Sequence, residues 1–95
     1  MINIFFICTK WCKSCPIIYN KIVPFVEQLD KSLYNFIKID MDSAESIKLL
    51  ENLDITITKL PSLIVNLEES EKCEVYSNED IIQYFECIYL DDVFK

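Results

Sequence analysis

The chain contains no glycine and no histidine. Without histidine there is no Ser-His-Asp or Cys-His nucleophilic site and no His-ligated zinc. Without glycine there is neither a P-loop nor a dinucleotide fingerprint, because both need glycine where the backbone approaches phosphate closely. Basic residues are scarce: 9 stand against 16 acidic ones, a formal net charge of −7. Such a chain repels phosphate backbones, and no stretch interleaves Lys with aromatics, so nucleic acid is not an expected partner. The apolar run Ile2–Cys8 has no basic residues before it and no small-residue cleavage site after it, and nothing reaches the ~20 apolar residues of a membrane span. A soluble, cytoplasmic chain with no membrane partner is therefore expected.

What is present is one globular domain, residues 1–95, with 52% hydrophobic and 26% charged residues. A domain of this length buries only a modest core. The five cysteines, an odd number with no secretory signal before them, fit a reactive-thiol protein better than a secreted disulfide scaffold. Richness in Ile, Lys and Asn points to an AT-rich genome, such as those of some large DNA viruses and intracellular parasites.

Ile2–Cys8 is β-branched and aromatic without alternation, as a strand buried on both faces is. Apolar positions Ile18, Ile22, Phe25, Val26, Leu29 and Leu33 then recur with a 3.6 period, predicting an amphipathic helix from about Cys15 to Leu33. Pro16 is tolerated in its first turn, whereas Pro24 interrupts its hydrogen bonding to Asn20. Phe36–Asp40 alternates as a strand. Asp42 or Ser43 caps a helix to about Leu53, with Ala44, Ile47 and Leu50 facing inward. Ser62–Leu67 and Cys73–Tyr76 are strands joined by the charged turn Glu68–Lys72. Ser77 and Asp80 form a capping-box pattern that opens a last helix to about Tyr89, with Ile81, Ile82, Phe85 and Ile88 inward. The order β-α-β-α-β-β-α predicts an α/β fold: a four-stranded mixed sheet with helices on both faces.

The chemistry gathers where the first strand meets the first helix, the place where open α/β sheets hold their ligands. Trp11-Cys12-Lys13-Ser14-Cys15 puts two cysteines across a helix start, a spacing that allows a disulfide with little strain. Cys12 faces the free amides of the helix N-terminus, with Lys10 and Lys13 adding positive charge, and these favour its thiolate. Cys15, one turn in, is more shielded and suited to resolving a mixed disulfide. Trp11 beside Cys12 reads as part of a substrate-facing surface. Cys8, Cys73 and Cys87 read as buried small apolar residues, and a Cys73–Cys87 bridge remains open.

This arrangement resembles the thioredoxin family. The Trp-Cys-x-x-Cys after a buried strand is similar to its active site. Phe36-Ile-Lys-Ile-Asp-Met-Asp42 is similar to its second core strand, with Lys38 under the active site. Asp54–Ser62 resembles the segment that ends at a cis-proline turn. The three matches fall in order over roughly residues 2–76. The resemblance implies a minimal thioredoxin fold of glutaredoxin size and a protein thiol–disulfide oxidoreductase. In it Cys12 is the nucleophile, Cys15 the resolving thiol, and Pro61 a cis residue against both. Leu60 offers its backbone to an extended substrate. No cofactor is implied beyond the pair itself, and the partners are protein dithiols or disulfides and an upstream redox protein acting on a monomer.

Three departures matter. Phe6 stands where thioredoxins bury an aspartate that assists the second cysteine. The Lys13-Ser14 pair between the cysteines differs from the family's Gly-Pro, and it helps set the potential and hence the direction of electron flow. Ser77-Asn78-Glu79-Asp80 replaces the glycine-rich turn by which glutaredoxins hold glutathione. Two readings from other classes stand beside this one. A redox-inactive thioredoxin-fold assembly module would keep the fold alone. A cluster or zinc site would use the Cys-x3-Cys-x2-Cys spacing of Cys8, Cys12 and Cys15.

Overall fold

The computed structural model describes residues 2–67 and 73–93. Its elements run β1 (Ile2–Cys8), α1 (Ser14–Gln28), β2 (Tyr34–Asp40), α2 (Ala44–Leu53), β3 (Ser62–Leu67), β4 (Cys73–Ser77) and α3 (Glu79–Val93). This is the expected β-α-β-α-β-β-α order. The predicted turn Glu68–Lys72 lies outside the described residues, and α3 runs past Tyr89 to take in Asp91 and Asp92.

The strands form one mixed sheet in the order β2-β1-β3-β4. The β1–β2 pair is parallel, with Phe6 beside Lys38 and Cys8 beside Asp40. The β1–β3 and β3–β4 pairs are antiparallel. A strand bonded on both edges and covered on both faces has no solvent side, which is why Ile2–Cys8 carries no polar alternation. Ile4, Phe6 and Cys8 pack beneath α1 and α3 with Ile18, Ile22, Ile81 and Phe85. Ile7 turns to the opposite face and packs with Ile39, Ile64 and the leucines of α2. The sheet thus divides the core into two layers. The larger holds Phe85, whose ring lies edge-on to Phe36 at 6.2 Å and to Tyr84 at 5.6 Å.

Several expectations are corrected. The first helix stops at Gln28, not Leu33, and Leu33 is 54% exposed. The 3.6 period continues past the helix end, but Asp30 offers the chain a better local partner. Its carboxylate accepts hydrogen bonds from the Ser32 amide and hydroxyl at 2.9 and 2.6 Å. Its carbonyl accepts from the Leu33 and Tyr34 amides, each at 2.9 Å. A short acidic side chain that bonds its own backbone two residues on makes a turn and competes with the helix.

Helix α2 begins as expected, with the Ser43 hydroxyl accepting from the Ser46 amide at 3.2 Å. Its buried stripe differs, however: Ala44 and Ile47 are exposed, while Leu49, Leu50 and Leu53 meet the core. Leu49, Leu50 and Leu53 follow the i, i+1, i+4 pattern of one helical face, and Ile55 and Ile57 in the following loop cover the same cluster. Ile47 lies off that face. The Ser77 capping box also fails, because Ser77 ends β4 paired with Ser62.

A glycine-free chain must still make left-handed turns. It does so with Asp54 at φ 54°, which closes α2, and with Asn78 at φ 53°, between β4 and α3. Asp and Asn tolerate this region because their short polar side chains bond locally.

Candidate active site

Strand β1 delivers Cys8 to the carboxyl end of the central strand, and the Cys12 amide then donates to the Thr9 carbonyl at 3.4 Å. That turn folds residues 9–12 back before α1 begins. Lys13 occupies the N-cap position without a side-chain cap, no acidic residue lies in the first turn, and Pro16 has no amide to satisfy. The positive end of α1 is therefore left to whatever lies before it.

What lies there is a cleft of ≈ 220 Å³ lined by Cys8, Thr9, Cys12, Cys15, Tyr19 and Lys38, with Phe6 among its walls. All five cysteines of the chain are free thiols. Cys12 is half-buried, whereas Cys15 is only 3% exposed. The two are joined by a thiol–thiol hydrogen bond. Burial first, and this bond to Cys12 second, push the Cys15 thiol up to about 12, while a backbone hydrogen bond at Thr9 opposes the rise. Because the bond favours the protonated form of Cys15, Cys15 donates and the Cys12 sulfur accepts.

The sign of this shift sets a pH dependence. A folded-state value above the ordinary thiol value of 9.0 means the native state holds the proton more tightly than the unfolded chain. The stability it contributes is complete below pH 9 and drains away as pH rises toward about 12. Tyr76 and Tyr84 are raised from 10.0, so their contribution drains only above pH 10, Tyr76 being raised chiefly through its hydrogen bond to Glu74 and Tyr84 chiefly through burial. Urea denaturation at pH 9 and pH 10 is therefore expected to show a loss of stability that shrinks in a Cys15→Ala variant. An equal loss in both proteins would refute the assignment.

Trp11 is 70% exposed and Lys10 and Lys13 lie on the surface. Lys38 is exposed, with Nζ 4.3 Å from the centroid of the Tyr19 ring, which in turn packs on Phe6 at 5.6 Å. The Leu60–Pro61 bond is cis. Its turn is held by the Ser62 hydroxyl donating to the Lys59 carbonyl and by the Asn78 amide donating to the Pro61 carbonyl at 3.3 Å. Pro61 is fully buried, and Leu60 packs against both layers of the core.

Two of the three other cysteines differ from expectation. Cys8 is buried, its thiol donating weakly to the Ile39 carbonyl at 3.7 Å, but Cys73 is half-buried and Cys87 exposed. Cys73 packs on the α2 side of the sheet while Cys87 lies beside Tyr76 and Tyr84 on the α3 side, so no bridge joins them. Among the described residues, no group of three or more Cys, Asp or Glu is arranged to hold a metal ion. The metal reading of Cys8, Cys12 and Cys15 therefore finds no support. Sequence reasoning also missed that Tyr19 and Thr9 line the cleft. Tyr19 had a signal, since it sits one helical turn after Cys15.

No protein-family model matches this chain, and no curated protein matches it in sequence. Solved structures do. The germline-specific thioredoxin Deadhead of Drosophila melanogaster matches with a TM-score of 0.71 and 15% identity, over 93% of this chain and 78% of that one. Thioredoxin O2 of Arabidopsis thaliana matches with a TM-score of 0.69 and 16% identity, over 95% and 74%. Thioredoxin O1 of the same plant gives 0.68 and 21%, over 95% and 77%. This chain has the thioredoxin fold. None of its described helices is long and apolar enough to cross a membrane.

Proposed function

We propose that the protein is a thiol–disulfide oxidoreductase that exchanges disulfides with protein substrates through Cys12 and Cys15. The observation that carries this is the asymmetry of the pair: a reachable Cys12 sulfur accepts a hydrogen bond from a buried Cys15 thiol at an uncapped helix start. The Cys12 thiolate attacks a substrate disulfide, forms a mixed disulfide and expels one substrate thiolate. Cys15 then attacks the Cys12 sulfur, the bond from Cys12 to the substrate sulfur breaks, and the second substrate sulfur departs as a thiol carrying the proton Cys15 gives up. Two electrons pass to the substrate, and the Cys12–Cys15 disulfide remains for an upstream redox protein to reduce. The same steps reversed oxidise a dithiol. No other cofactor enters.

An extended substrate segment lies beside the cis turn. Among the described residues the Leu60 amide and carbonyl make no turn hydrogen bond, so both are available to a strand-like partner, and Trp11 supplies an apolar surface nearby in sequence to the attacking sulfur. The exposed Glu79 and Asp80 after Asn78 disfavour the carboxylates of glutathione, so the substrates are proteins rather than that tripeptide. Lys13 and Lys38 add positive charge near the cleft and help hold a sulfur anion.

A redox titration tests the reading. Equilibrated against thiol buffers of defined potential and analysed by mass spectrometry, the Cys12–Cys15 bridge is expected to form and break reversibly between roughly −270 and −120 mV. A pair locked in one state across that span would identify an assembly module instead. Purified protein that carries iron or zinc would identify a metalloprotein.

A further inference from the structure

The cleft holds a third sulfur that the mechanism above does not use. Cys8 lines the same cavity as Cys12 and Cys15. The turn between Thr9 and Cys12 folds the chain back from the strand end, and the Thr9 backbone bonds Cys15, so the peptide that follows Cys8 lies against the buried thiol. We propose that Cys8 is a second resolving thiol: when Cys12 carries a mixed disulfide, Cys8 attacks the Cys12 sulfur and closes a Cys8–Cys12 disulfide. This rests on the proposal that Cys12 is the nucleophile.

Three observations favour the step. First, the resolving route through Cys15 is hampered, because its thiol holds its proton to about 12 and no carboxylate lines the cleft to take it. Position 6, on the strand beneath, is phenylalanine. Second, burial raises the Cys8 thiol, with Asp40 and Cys12 adding to the rise, while Lys38, which lines the same cleft, opposes it and so lies close enough to act on this sulfur. The bond that Cys8 would give up is only a thiol contact of 3.7 Å to a carbonyl. Third, the Thr9 hydroxyl lies in a residue 6% exposed and has no hydrogen-bond partner among the described residues, although Thr9 lines the cleft. A buried hydroxyl without a partner is costly unless it serves something transient. Here it can donate to a sulfur anion that exists only during exchange.

The step balances. The bond between the Cys12 sulfur and the substrate sulfur breaks, the Cys8–Cys12 bond forms, and the Cys8 proton ends on the departing substrate thiol. Cys8 and Cys12 together lose two electrons, and the substrate disulfide gains them. Thiol exchange with Cys15 can then convert this bridge to Cys12–Cys15.

The test uses the full chain with Cys73→Ser and Cys87→Ser throughout, which leaves only the three cleft thiols. Cys15→Ser and Cys8→Ala/Cys15→Ser proteins are treated with one equivalent of dithiobis-nitrobenzoate. In the first, release of a second nitrothiobenzoate and an intact mass two hydrogens below the thiol form are expected, with a Cys8–Cys12 peptide on digestion. In the second, the adduct at Cys12 is expected to last at least about tenfold longer. Cys8→Val, which fills the vacated volume, repeats the comparison should the alanine variant fold poorly. Equal adduct lifetimes would overturn the role of Cys8 while leaving Cys12 as nucleophile. Absence of any adduct at Cys12 would overturn both.

Discussion

Cys12→Ser is expected to abolish reduction of protein disulfides, by roughly 10⁴-fold or more, as removal of an attacking nucleophile does elsewhere. Oxygen replaces a soft, readily ionised sulfur with a hydroxyl that neither ionises near neutral pH nor attacks a disulfide. Cys12 is half-buried, so the change leaves the core intact and the loss belongs to chemistry alone. Cys15→Ser differs in kind: the first attack survives, and a mixed disulfide accumulates whose lifetime is then set by Cys8. Turbidity from insulin reduction, driven by dithiothreitol, separates the two variants. A Cys12→Ser protein that keeps more than about a tenth of the activity would show that another group begins the reaction.

Phe85→Ala is expected to cost about 3–5 kcal/mol. Against a total of about 5–14 kcal/mol for a domain of this length, that loss takes a large part of the stability. The side chain is 1% exposed and joins α3 to the sheet through Phe36 and to its own helix through Tyr84. Its removal leaves a void at the meeting of three elements that cannot all move inward. Ile47→Ala is the control. Ile47 is 55% exposed, so its truncation is expected to cost less than about 1 kcal/mol. Urea midpoints at unchanged m-value measure both. Comparable losses would mean that the two residues share an environment.

That contrast shows where the sequence can be read and where it cannot. Phe85 and Ile47 both fall on an apolar period of a helix, and both read as inward from sequence. For Phe85 the period agrees with Ile81 and Ile82, which join the same core. In α2 two stripes compete, and only contact with Ile7, Ile39 and Ile64 selects the one through Leu49, Leu50 and Leu53. The end of α1 is a similar case. Leu29 and Leu33 extend the period, but the Asp30–Ser32 hydrogen bonds end the helix first. The cis peptide at Leu60–Pro61 was legible only through resemblance, because spacing alone does not select that isomer.

Sequence alone determined the element order, the buried central strand, and a Cys-x-x-Cys pair at a helix start. These are local matters: hydrophobic period, strand propensity, and the reach of two side chains within one helical turn. It also determined, by lacking glycine, that any left-handed turn falls to another residue type; the structure puts Asp54 and Asn78 there. The tertiary structure decided what each sulfur meets. Burial makes Cys15 the hydrogen-bond donor of the pair, and the folding back of Thr9 to Cys12 places Cys8 in the same cleft, whereas the sheet holds Cys73 and Cys87 on opposite faces. Those outcomes depend on desolvation and on contacts between residues far apart in the chain, and neither is written in the spacing of cysteines.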